Sequence, residues 1–135
     1  MFNTLDLTTG GLRAQRARMD TIAGNVLNAN TTRNADGELS PYRRRFAVLQ
    51  AGTASDSSAP GVHVREIRQD PRPFGERYEP GHPDADPETG LVQTPNVDTG
   101  TEYVNMMEAS RAYEASVSLM QTTKAMFNSA LRMIA

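Results

Sequence analysis

Both ends of this chain repeat their apolar residues every seven positions, and that period limits what the chain can fold into. Toward the C-terminus Met106, Tyr113, Met120, Phe127 and Ile134 stand in one row, with Tyr103, Val117 and Leu131 on the neighbouring row. Toward the N-terminus Leu5, Leu12, Met19 and Val26 keep the same spacing, with Ile22 and Ala29 beside them. A strict heptad seam stays turned toward one neighbour only if the helices wind around each other. The two ends are therefore expected to be long helices pairing as an α-helical coiled coil, either across chains or as a hairpin within one.

The first helix is predicted from about Asn3 to about Asn30. Gly10 and Gly11 interrupt its propensity at roughly 1 kcal/mol each, so packing must hold it. After Val26 the apolar period gives way to a polar tract from Asn28 to Arg33, whose side chains compete for backbone hydrogen bonds and end the helix. The second helix is expected to open with a capping box, Thr99 followed three residues later by Glu102. No Gly or Pro occurs from Thr101 to Ala135, which allows a helix of about 50 Å running to the end. Leu119, Met126 and Met133 widen its apolar stripe beyond a two-helix seam and imply neighbours on more than one side.

Between the helices the pattern changes to short strands and turns. Tyr42 to Gln50 is one candidate strand, Val62, Val64 and Ile67 mark a second, and Leu91 to Gln93 a third. Ala51 to Pro60, small and polar, is expected to be a flexible loop. Prolines at 71, 73, 80, 83 and 87 exclude regular helix and favour extended edges and turns. The expected fold class is mainly α with a small β-rich middle: a helix over 1–32, short strands and Pro-rich loops over 33–98, and a helix over 99–135. A middle of that size is marginal as an independent core.

Charge and composition remove several functional classes. The net charge of −2 gives no bulk attraction to nucleic acid or to an anionic membrane. Residues 1–50 carry seven Arg against four acids, and residues 51–135 carry seven Lys and Arg against twelve acids, an asymmetry suited to head-to-tail contacts. With no cysteine there is no disulfide framework, thiolate nucleophile or Cys-ligated zinc, and the compartment stays open. Residues 1–11 lack a basic segment followed by a continuous apolar run, so no Sec-type signal is expected. No stretch approaches the ~20 apolar residues of a membrane span.

Candidate chemistry is sparse. His82, Asp84 and Asp86 alternate as the ligands of a metal on an extended segment would, but Pro83 and Pro87 interleave and follow them and no second cluster completes a coordination sphere, so a turn is expected. With His63 and His82 the only histidines, no local motif supports a Ser-His arrangement. No catalytic residue, metal or cofactor is expected. Arg43, Arg44 and Arg45, flanked by Tyr42 and Phe46, form the one basic run, more in keeping with a strand face or protein interface than with a nucleic-acid groove.

Particular words in the sequence go further. The stretch from Arg18 to Thr32, RMDTIAGNVLNANTT, resembles the N-terminal signature of bacterial flagellar rod and hook proteins. Pro41 to Arg44, Pro80 to Asp86, Pro95 to Val97 and Ala109 to Ala115 narrow that resemblance to the proximal rod proteins of the flagellar basal body. The pattern departs at Gly24, where asparagine is common, and at Val26 and Leu27, where isoleucine and alanine are common; the apolar phase is kept.

The resemblance implies a structural subunit, exported without a cleavable signal peptide through the flagellar type III apparatus. It would sit in the rod that crosses the periplasm and help transmit torque, with its terminal helices in the inner tube and its middle outside. Implied partners are other rod subunits, copies of itself, adjoining basal-body ring and junction proteins, and the export apparatus, with no nucleic acid and no membrane insertion. Leu12, Met19, Ile22 and Val26, with Met106, Tyr113, Val117, Met120, Phe127 and Leu131, are the expected assembly interface. Asn25, Asn28 and Asn30 either bond neighbouring helices or cap the first helix. The arginine run would meet an acidic neighbour, such as the Asp84 and Asp86 loop of another subunit. A small helical-hairpin adaptor or export chaperone is the alternative; it accounts for the heptads alone.

Overall fold

The computed structural model describes residues 2–53 and 60–134. Helix α1 (Phe2–Leu27) leads into strands β1 (Arg45–Ala51), β2 (Val62–Gln69), β3 (Gly75–Tyr78) and β4 (Leu91–Thr94), and helix α2 (Thr99–Ile134) closes the chain. Most of the expected 51–60 loop lies outside the described residues.

The first helix ends a turn earlier than its composition suggests. Asn28 turns the chain by donating both its backbone N–H (3.2 Å) and its side-chain Nδ2 (2.8 Å) to the Gly24 carbonyl. Gly10 has a packing reason to be a glycine, since a Cβ there would stand 3.0 Å from the backbone oxygen of Val62. Helix and strand approach more closely than a side chain allows. A Cβ on Gly11, in contrast, would meet open space.

At the start of α2 the expected capping box does not form. Asp98 is the cap: its carboxylate accepts from the Gly100 N–H (3.1 Å) and the Thr101 hydroxyl (2.6 Å), and its carbonyl accepts the Glu102 N–H (3.0 Å). The Thr101 hydroxyl foremost, then the Gly100 N–H, hold the Asp98 carboxyl below its ordinary range. Glu102 is not free to cap, because its side chain is drawn into the interior.

The helices lie against each other antiparallel, with Asn25 bonded to Glu102 and Arg18 to Glu108. Met106, Tyr113 and Met120 are half-buried. The row beside them is Glu102, Ala109, Ser116 and Thr123, with Glu102 and Ala109 fully enclosed. Tyr103, expected on the seam, is 59% exposed. Small side chains let helix backbones come close, so the packed row is the one with less hydrophobic bulk.

Helix α1 also packs on β1 and β2, which makes it the element shared by both halves of the fold. Strands β1 and β2 pair antiparallel from Arg45 opposite Gln69 to Ala51 opposite Val62, with a bulge that leaves Arg65 without a partner. Strand β3, hidden in the sequence by its flanking prolines, pairs antiparallel with β4, Gly75 opposite Thr94 and Tyr78 opposite Leu91. Val92 of β4 is a core residue together with Ala14, Ile22 and Ala109. Gly90 precedes β4 with φ +68°, and a Cβ there would stand 2.9 Å from the Tyr78 ring.

Candidate assembly interface

At the point where both helices meet the β-rich middle, the interior is polar. Asn25, wholly buried, uses its full amide capacity: Nδ2 donates to the Arg45 carbonyl (2.7 Å) and Glu102 Oε2 (2.9 Å), while Oδ1 accepts from the Arg45 N–H (2.9 Å) and the Tyr42 hydroxyl (3.1 Å). Burial pushes the Tyr42 hydroxyl's pKa up. The other oxygen of Glu102 takes both Nε and Nη2 of Arg44 at 2.8 Å. Such a buried pair is costly to desolvate, but breaking it is costlier still.

The network continues into the β-rich middle. Asp70, at the end of β2, lies 3.4 Å from Arg44 Nη1 and accepts from Arg72 through Nε (2.9 Å), Nη2 (2.7 Å) and the backbone N–H (3.0 Å). The Arg72 guanidinium foremost holds the Asp70 carboxyl down at about 2. Asn96 accepts from the Arg44 N–H (2.8 Å) and donates to the carbonyls of Asp70 (3.3 Å) and Arg72 (3.1 Å). One cluster thus ties α1, β1, the end of β2 and α2 together.

The arginine run divides its duties. Arg44 belongs to the buried cluster; Arg43 donates to the carbonyls of Asp70 (3.0 Å) and Arg72 (2.9 Å) and stacks 4.3 Å over the Phe74 ring. Of the three only Arg45 is exposed. Asp84, proposed above as a partner for another subunit, is instead held within the chain by the Arg33 guanidinium and the Thr32 hydroxyl (2.6 Å), which depress its pKa in that order. His82 is part of the same turn, its Nδ1 accepting the Asp84 N–H (3.1 Å).

The far end of α2 is organised differently. Stepping outward from the Asn25–Glu102 and Arg18–Glu108 pairs, the 26 residues of α1 run out before the 36 of α2. On the last turns of α2 Met126 (69%), Phe127 (39%), Leu131 (51%) and Met133 (83%) are exposed, with Leu119 exposed about two turns before them. From Ala115 to the end there is no acidic residue, while Lys124 and Arg132 add positive charge.

Of the residues expected at the interface, Ile22 and Asn25 are buried within the chain, and Leu12, Met19, Val26, Asn28, Met106, Tyr113, Val117 and Met120 are half-buried. Asn30, Phe127 and Leu131 are exposed. Asn25 does bond a neighbouring helix, the chain's own α2, and Asn28 closes α1. The reading of residues missed Glu102, Arg44, Asp70, Tyr42 and Asn96 as one cluster. The available signal was a carboxylate seven residues before Ala109 on a row that is otherwise small or apolar.

Comparison with known proteins defines the class first. Residues 5–33 match the family model "Flagella basal body rod protein", and residues 88–133 match "Flagellar basal body rod FlgEFG protein C-terminal". These are the two helical ends, the second with part of the approach to α2. Among full-length relatives, the flagellar basal-body rod protein FlgC of Bacillus subtilis is 40% identical over 144 aligned positions, covering 96% of this chain and 95% of that protein. FlgC of Escherichia coli O6:H1 is 38% identical, covering 93% of this chain and 92% of its own length, and FlgC of Aquifex aeolicus is 40% identical over 94% and 92%. The chain belongs to the FlgC family of flagellar basal-body rod proteins, structural subunits of the rod.

Proposed function

We propose that this chain is a subunit of the proximal rod, exported through the flagellar type III apparatus without a cleaved signal. It stands in the periplasmic rod among copies of itself, other rod subunits and adjoining ring and junction proteins. Its role there is mechanical rather than catalytic. The segments 1–32 and 99–135 form the inner coiled-coil tube, and 33–98 faces outward. Leu12, Met19, Val26, Met106, Tyr113, Val117, Met120, Phe127 and Leu131 supply seams to neighbouring helices, while Ile22 and Asn25 hold the subunit's own helix pair in register.

The observation that carries this proposal is the uncovered end of α2, where Phe127, Leu131 and Met133 face solvent on a helix that outruns its partner. Large apolar side chains left in contiguous turns mark a surface that another chain covers. Each large side chain seated in such a seam contributes about 2 to 5 kcal/mol against truncation, enough when repeated to carry load. Co-purification of the tagged chain with detergent-extracted basal bodies, stripped of hook and filament, tests the assignment. Retention in the rod fraction is expected. A soluble chain in cells that still build rods without it would overturn the proposal.

A further inference from the structure

Beside the polar cluster, between α1, β1 and α2, lies a recess of about 260 Å³ whose walls include Arg18, Arg44, Arg45, Thr21, Asn105 and Phe46. Arg44 is committed to Glu102, and Arg18 to the exposed Glu108. Arg45 makes no ion pair among the described residues; its guanidinium lies 5.6 Å from the Tyr42 ring centroid. The recess thus presents one uncommitted cation, held on rigid backbone because Asn25 grips both the N–H and the carbonyl of Arg45.

Elsewhere on the same chain stands a turn whose tip carries the opposite charge. Residues 86–90 close on themselves: Asp86 N–H donates to the Leu91 carbonyl (2.9 Å), Gly90 N–H to the Asp86 carbonyl (2.7 Å), and Glu88 N–H to Asp86 Oδ1 (3.0 Å). The Glu88 N–H foremost, then the Thr89 hydroxyl, keep the Asp86 carboxyl below its ordinary range, so Asp86 organises the turn. At its tip Pro87 and Glu88 are exposed, and the Glu88 carboxylate has no partner among the described residues. The backbone on both sides is already held by hydrogen bonds, which leaves mainly the two side chains to be ordered on binding.

We propose that the Arg45 recess of one copy receives the 86–90 turn of a second copy, with Glu88 pairing with Arg45 and Pro87 seated toward Phe46. The two patches differ, so the contact is head-to-tail and generates a ring or an open helical array rather than a closed dimer. Charge sets the register of the copies and their rate of encounter, and the terminal helix seams hold them together. This inference rests on the rod-subunit assignment and names one copy-to-copy contact within it.

The test is charge reversal in cells, scored as the amount of full-length chain retained in purified basal bodies. Arg45→Glu and Glu88→Arg are each expected to lower retention about tenfold, and the double reversal to restore it to within about twofold of the parent chain. Unaffected single variants, or a double variant no better than the singles, would overturn the contact. Loss of the unaltered chain from basal bodies in cells that still build rods would instead overturn the rod assignment. As a measurement independent of charge, Arg45→Cys with Glu88→Cys in this cysteine-free chain should give an oxidised ladder above the dimer in basal bodies. Monomers alone would count against the contact.

Discussion

The two ends of α2 solve opposite problems. At its start, Glu102 is completely enclosed and bonded to Asn25 and Arg44 inside the chain; at its finish, Phe127, Leu131 and Met133 are exposed. The first arrangement is complete in one subunit, because a buried carboxylate that waited for another chain would carry its desolvation cost until assembly. Exposed methionine, leucine and phenylalanine carry no such penalty. The polar junction is thus the part that must be finished on folding, and the apolar end is the part that can be left for a neighbour.

This contrast is most directly broken at Asn25. Asn25→Ala deletes four hydrogen bonds and leaves Glu102 and Tyr42 short of partners, so the isolated chain should lose about 3 to 4 kcal/mol in denaturant unfolding. A loss under about 1 kcal/mol would mean that water replaces the amide and that the junction is not sealed. Ala109→Leu should cost about 1 to 3 kcal/mol in the same assay, since the enclosed alanine sets how closely the helices approach.

Acid provides a third and smaller probe of the junction. The folded-state pKa of Asp70, about 2, lies below its ordinary 3.8, so its contribution to stability is full above about pH 4 and shrinks as pH falls toward 2. Asp70→Asn should flatten the pH dependence of unfolding across that window. An unchanged slope would show that the Arg72 contact is not maintained in solution. At the other end of α2, Phe127→Asp should change monomer stability by less than about 0.5 kcal/mol, because the ring is already substantially exposed, yet stop incorporation into basal bodies. Normal motility with that variant would remove the seam from the assembly surface.

Much of the architecture was legible in residue order. Periodicity located both helices, and β-branched and aromatic runs located β1, β2 and β4, because each signal is carried by residues close together in the chain. Strand β3 was not legible: Gly75, Glu76, Arg77 and Tyr78 have no alternating pattern, and only pairing with β4 across the 79–90 turn makes them a strand. The capping role given to Glu102 was locally sound and failed because Arg44, 58 residues earlier in the chain, competes for the same carboxylate. Tyr103 lies outside the chain's own helix contact for a related reason: hydrophobicity measures the gain on burial, whereas close helix approach favours small side chains.

From the sequence alone came two long heptad-bearing helices, a short β-rich middle, the absence of cysteine chemistry and a resemblance that led to the right family. Each of these depends on spacing or composition along the chain. Tertiary structure alone decided which arginine is buried and which is free, which acid caps and which is locked inside, and where α2 outruns α1. Those outcomes follow from which groups compete for the same partner once the chain is folded, and that competition brings together residues far apart in sequence.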